Sequence, residues 1–162
     1  DTTLITVAPS AATLKIRGFS TNTGQVIAIK SEQHAPLSAG DFYSGLPNVA
    51  RTALDNSAGD GSGTFAGISG LTYSAAFTSL WSTNGYNDIA LNATALPDIA
   101  SLTTFKVCLM NYEHDYLDIE TTASKANGVY WSEQGGGYKP LLSYTEAAVA
   151  TVDNATFFGA NF

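Results

Sequence analysis

Catalysis needs a nucleophile, a base or a set of metal ligands, and this sequence offers few of each. It has two histidines, His34 and His114, and one cysteine, Cys108. No Gly-x-Ser-x-Gly elbow is present, so Ser/His/Asp chemistry lacks its nucleophile turn and a base in a recognisable context. Glu113, Asp115, Asp118 and Glu120 fall close together in residues 111–120 (NYEHDYLDIE). Nothing in their spacing separates an acid from a base, as glycoside hydrolysis requires. Carboxylates beside Asn oxygens suit calcium, which makes Asp115, Asp118 and Glu120 the candidate ligands for the one cofactor left open. Against that, residues 55–63 (DNSAGDGSG) miss the EF-hand spacing, and 113–120 has no Gly at a loop corner. Plain solvated acids are the expectation. Cys108 lies in the apolar run 105–110 (FKVCLM), where a thiol is expected to be buried and inert. The chain reads as a non-enzyme.

Glycan recognition is a different chemistry, because a sugar ring offers a C–H face and a hydroxyl edge. The aromatic inventory is Trp81, Tyr86, Tyr112, Tyr116, Tyr130, Trp131 and Tyr138. Tyr112, Tyr116 and Tyr138, in loop-like contexts, are the glycan-binding candidates, although a rim tyrosine can equally be structural. Strand alternation puts Tyr130 and Trp131 on opposite faces, one toward the core and one outward. Asn92-Ala93-Thr94 and Asn154-Ala155-Thr156 match the glycosylation sequon, which has meaning only in a host that glycosylates.

The elements that would position these residues are short and β-prone. Residues 128–146 (GVYWSEQGGGYKPLLSYTE) contain two such runs, 129–133 and 140–145, joined by Gln-Gly-Gly-Gly. They read as a hairpin with a flexible loop, Pro140 opening its second strand. Residues 13–19 (TLKIRGF) alternate in polarity; Thr-Asn-Thr-Gly at 21–24 supplies a turn, and 25–30 (QVIAIK) is expected to return antiparallel. Residues 34–47 are irregular, with a single helical turn starting near 38–42, and 48–70 read as an exposed excursion. A strand is expected over 71–80 and another over 86–91 (YNDIAL), after the Asn84-Gly85 turn signal. Residues 92–100 (NATALPDIA) predict one short helix, capped by Asn92 or Thr94, with Leu96 and Ile99 facing inward. The run 105–110 is the most apolar strand and is expected to be central. Ile16, Ile29, Ile89, Val107, Leu109 and Leu142 are the expected core.

At 162 residues the chain is long enough for one domain with a sizeable core. Charged residues make up 13% and aromatics 11%, a balance that suits antiparallel β-structure and excludes a coiled coil. Seven Lys and Arg against 14 Asp and Glu give a net charge of −7, which repels a phosphate backbone and argues against nucleic acid. No apolar run approaches a bilayer span, so no membrane partner is expected. Residues 147–162 (AAVATVDNATFFGANF) hold Val149, Val152, Phe157, Phe158 and Phe162 with a single charge. Burying each such side chain is worth roughly 1.5–3 kcal/mol, so this tail is expected to dock, with those five residues as the subunit contact.

The order of elements also carries a resemblance. Residues 1–19 (DTTLITVAPSAATLKIRGF), 85–99 (GYNDIALNATALPDI) and 139–145 (KPLLSYT) together resemble the DNRLRE-like, carbohydrate-binding-module-type β-sandwiches of bacteriophage virion proteins and secreted polysaccharide-active proteins. Here Lys139-Pro140 inverts the family's usual Pro-Lys, and strands that family members carry upstream of the Asp-Thr segment do not precede it. The resemblance implies an all-β, jelly-roll-like antiparallel sandwich with one short helix over 1–146, followed by the docking tail at 147–162. It further implies an extracellular, non-enzymatic structural or adhesion module at a virion surface, a capsid decoration (cement) protein or tail-fibre domain. Self-association or other virion proteins would then be its partners. A carbohydrate-binding module of a secreted bacterial protein is the alternative, and a donor-strand subunit of an extracellular filament is a third.

Overall fold

A computed structural model of the chain describes residues 2–31, 72–117, 119 and 125–148. Described strands are β1 (Ala11–Thr21), β2 (Val26–Lys30), β3 (Tyr86–Ala90), β4 (Val107–Asn111), β5 (Asn127–Val129) and β6 (Leu141–Thr145). The one α-helix among the described residues, α1, is Ala95–Ser101. The chain is all-β, with antiparallel pairing throughout the described residues. The turn expected at 38–42 and the excursion at 48–70 lie outside the described residues.

β1 is the hub of a four-stranded sheet. One edge pairs with β3, from Thr13↔Ala90 to Arg17↔Tyr86. The other edge carries two partners end to end: β6 from Ala11↔Thr145 to Lys15↔Leu141, and β5 at Gly18↔Val129 to Thr21↔Asn127. The expected hairpin between 129–133 and 140–145 therefore does not form. β5, ending at Val129, and β6 run along the same edge of β1, while residues 132–134 form a 3-10 turn within the excursion between them. Alternation follows the pleat: Ala12, Ile16 and Gly18 are buried, Ile16 opposite the buried Asn87 and Leu14 opposite the buried Ile89, while Lys15 and Asp88 point outward. At Gly18 a Cβ would run into the Trp81 indole and the Ser82 carbonyl, so the residue must be glycine.

β2 does not return along β1. It pairs with β4, from Val26↔Asn111 to Lys30↔Val107, in a second, two-stranded sheet. The edge of β1 it would have used is taken, because Thr21 faces Asn127 and the Asn22 N–H donates to the Ala126 carbonyl at 2.7 Å. Thr23 turns the chain out of the sheet with a φ of 56°. β2, not β4, is the inner strand. Its second edge bonds residues 73–77, with Tyr73 N–H to Ala28 O at 2.9 Å and Phe77 N–H to Val26 O at 2.7 Å. β4 is half-buried throughout. Residues 72–80 make only isolated bridges, not the expected strand. Ser74 Oγ accepts the Ala28 N–H at 3.0 Å, so a side chain stands where a ladder carbonyl would be.

The two sheets share an apolar core of Ala12, Ile16 and Ile89 from one, Val26 and Ala28 from the other, with Tyr73, Trp81, Ala95 and Ile99. The opposite face of β2, Ile27 and Ile29, packs with Tyr116 in a second cluster. Both apolar faces of β2 are thus covered. α1 sits as expected: Ile99 is fully buried, Leu96 partly so, and Asn92 Oδ1 accepts from the Thr94 and Ala95 N–H groups at 3.0 and 3.2 Å. Of the expected core, Ile16, Ile29 and Ile89 are buried, while Val107, Leu109 and Leu142 pack against the core only partly covered.

Ile89→Ala is expected to cost about 2–5 kcal/mol in chemical denaturation, the range for truncating a fully buried side chain. Leu142→Ala should cost clearly less. An equal loss at both positions would contradict the burial pattern.

Candidate recognition surface

The outward face of the four-stranded sheet is built from odd-numbered residues of β1 and their partners. Lys15 Nζ pairs with Asp88 Oδ2 at 2.7 Å, and Arg17 Nη2 donates to the Asn84 carbonyl at 2.9 Å. Residues 130–140 fold back over this face. The Tyr86 hydroxyl lies 2.9 Å from both the Gly137 and Lys139 carbonyl oxygens, and the Arg17 guanidinium sits 4.6 Å above the centroid of the Tyr138 ring. Tyr130 meets Tyr138 edge to face at 4.7 Å and Phe19 at 5.3 Å. Gly135 and Gly136 supply the positive φ values, 73° and 57°, that let the excursion turn back. Trp131 is left 59% exposed, Phe19 50% and Leu141 47%. The result is an aromatic cluster of Phe19, Tyr130 and Tyr138 over Arg17, with Trp131 exposed next to Tyr130 in sequence.

The other tyrosine candidates lie elsewhere. Tyr112 and Tyr116 sit on a single π-helical turn, Tyr112–Tyr116, capped by Asn111 Oδ1 accepting from Glu113 and His114 N–H groups. Their rings stack on each other at 5.6 Å, and Tyr116 is buried against Ile27 and Ile29. Tyr116 is a core side chain, and Tyr112 packs on it half-buried. Tyr138 alone of the three belongs to the exposed aromatic face. Phe19 is absent from the sequence inventory; of the pair expected to split between core and surface, Trp131 is exposed, but Tyr130 packs on Phe19 and Tyr138 and not in the core.

Beside the π turn, a groove of about 370 Å³ runs between Gln25, Asn111, His114, Asp115, Lys125 and Asn127 over a floor that includes Val26, Leu109 and Val129. Most of its polar groups are engaged by the protein itself. Asn111 Nδ2 donates to the Lys125 carbonyl at 2.8 Å, Lys125 Nζ pairs with Glu113 at 3.3 Å, and Asp115 Oδ2 accepts the Asn111 N–H at 3.3 Å. His114 Nδ1 lies 3.0 Å from the Ile119 carbonyl. These contacts tie the groove wall together. Among the described residues no three His, Cys, Asp or Glu groups converge on a metal position. Of the calcium candidates only Asp115 is described; Asp118 and Glu120 lie outside the described residues, as do Val149, Val152, Phe157, Phe158 and Phe162 and the second sequon at Asn154. At the first sequon, Asn92 Nδ2 already donates to the Thr72 carbonyl at 2.8 Å.

Cys108 is a free thiol on β4. Burial, and secondarily the charge of Asp115, push its pKa up to about 11. The thiolate, the reactive form, is therefore suppressed at neutral pH. Among the described residues no helix is long and apolar enough to cross a membrane. No family model, curated protein or solved structure matches this chain.

Alkylation of Cys108 at pH 8 is expected to be much slower in the native protein than in denaturant. Because the folded pKa lies above the ordinary thiol value of 9.0, this group's stabilising contribution is complete below pH 9 and declines as pH rises toward about 11. Cys108→Ser should remove that alkaline component from a stability-against-pH curve. Equal alkylation rates in native and unfolded protein would show the thiol to be exposed.

Proposed function

We propose that this chain is a non-enzymatic structural or adhesion module of a virus particle, a bacteriophage capsid decoration protein or a tail-fibre domain. The observation that carries the reading is the exposed aromatic cluster of Phe19, Tyr130 and Tyr138 over Arg17, with Trp131, 59% exposed, next in sequence to Tyr130. Aromatic side chains of this kind supply large contact area at small entropic cost, which is what a surface-recognition module needs. Low charge and the resemblance to virion β-sandwich domains support the assignment to a particle surface. Val149, Val152, Phe157, Phe158 and Phe162 are then the contact to a neighbouring subunit, and sedimentation with and without residues 147–162 tests them.

A carbohydrate-binding role in a secreted bacterial protein is the second reading, favoured by the same face. The partly exposed, guanidinium-backed Tyr138 ring offers a sugar a stacking surface with polar neighbours, and the exposed Trp131 indole offers a second ring. Both readings make the face the contact. Trp131→Ala is expected to abolish capture on a glycan array or of host-cell envelope fragments, while changing stability by less than about 0.5 kcal/mol, as for other surface substitutions. Undiminished capture by Trp131→Ala together with Tyr138→Ala would remove this face from consideration.

A further inference from the structure

The outer edge of β6 has no strand partner among the described residues, and its geometry suits a second copy of itself. On β1, the Ala12 carbonyl accepts the Leu91 N–H on the β3 side, and the Arg17 carbonyl accepts the Tyr130 N–H on the opposite side. Even-numbered residues of β1 therefore bond toward β3, and odd-numbered ones toward β6. Thr13 faces Ser143, so Ser143 bonds back to β1, and the N–H and C=O groups of Leu142 and Tyr144 point to the free edge. The excursion does not cover that edge, because Tyr86 draws Gly137 and Lys139 the other way, across β1 toward β3.

Natural edge strands are blunted by internal charges, bulges or proline. β6 reads LLSYT with no charge, an unbroken register, and Pro140 only before its start. Leu141 and Tyr144 are 47% and 43% exposed. The flanking charges are of opposite sign, Lys139 before the strand and Glu146 after it, and both are exposed. We propose that two copies of this chain pair antiparallel through β6 about a two-fold axis at Ser143. Leu142 of each copy then faces Tyr144 of the other, Ser143 faces Ser143 on the axis, and the four outward N–H and C=O groups of each are satisfied, while Lys139 and Glu146 come to each end of the joint as diagonal neighbours on opposite faces. Any other in-phase two-fold register opposes Pro140 to Tyr144 or runs past the strand end, losing a donor. The joint makes one eight-stranded sheet from two four-stranded ones, with both aromatic faces presented.

This inference rests on the reading of the chain as a self-assembling surface module, and sedimentation equilibrium of the full chain tests it separately. The wild-type chain should show a concentration-dependent dimer. Tyr144→Pro removes the outward N–H and none of those bonded to β1, so it should keep the β-type circular dichroism and raise the dimer dissociation constant by about tenfold or more. Tyr144→Ala, which keeps the N–H, should dimerise better than Tyr144→Pro. Should the proline variant not fold, Ser143→Lys decides: the two lysines would stand directly opposite each other on the axis and should weaken the dimer, most strongly at low salt. A wild-type chain monomeric at all concentrations overturns the inference, and if it still captures glycan the adhesion reading stands without it. Folded Tyr144→Pro or Ser143→Lys that associates like wild type equally overturns it.

Discussion

The backbone hydrogen bonding of β1 is the constraint from which the rest of the sheet follows. Eleven residues at about 3.3 Å each make a strand far longer than any of its partners. Its donors and acceptors must be met on both edges. β3 satisfies one; the other needs two short strands in line. Between Lys15, which faces Leu141, and Gly18, which faces Val129, β1 has only Ile16 and Arg17. The segment joining β5 to β6 has residues 130–140 to place opposite that gap. Apart from Tyr130, which donates to the Arg17 carbonyl at 2.9 Å, the surplus has to leave the sheet. It leaves on the face where Arg17 and Tyr86 can hold it, and this is how Trp131 comes to be displayed.

The second sheet is attached through β2, which is apolar on both faces and must be covered twice. Val26 and Ala28 complete the core shared with β1 and β3, and Ile27 and Ile29 meet Tyr116 on the other side. Polar ties fix the arrangement. Asp98 on α1 accepts from the buried Tyr73 hydroxyl and pairs with Lys30 of β2 at 3.2 Å, joining helix, bridge segment and strand. Asn87, buried under the first sheet, spends its amide on Ile16 O, Ser82 O and Ser82 N–H. Buried amides so satisfied stabilise, whereas an unpaired one would cost roughly 1–3 kcal/mol.

Element existence was largely legible in the sequence, and pairing was not. The alternation in 13–19 and 86–91 and the Asn-Ala-Thr cap marked β1, β3 and α1, because those signals are local. Thr-Asn-Thr-Gly looked like a hairpin turn, but turn chemistry reports a change of direction and not the next partner. A better clue lay within Val26–Ile29, a run with no polar alternation, the mark of a strand covered on both faces. The glycine run before Pro140 likewise permitted a tight hairpin; only competition for the β1 edge, a long-range effect, excludes it. Of the candidate tyrosines, the four-residue spacing of Tyr112 and Tyr116 was compatible with mutual stacking, and their ring faces are used that way. Tyr138 reached the exposed face through a cation beneath it, Arg17, more than a hundred residues distant in sequence.

Recognition at the aromatic face and assembly at the β6 edge both depend on β5 and β6 sharing one edge of β1. Nuclear Overhauser contacts between Hα protons measure that arrangement directly. In the non-hydrogen-bonded pairs of an antiparallel ladder these protons come closest, so cross-peaks are expected between Leu14 and Leu142 and between Ala12 and Tyr144. A set of cross-peaks joining residues 129–133 to 140–145 instead, with none from β1 to Leu142, would mean that the two segments form a hairpin and would contradict the account.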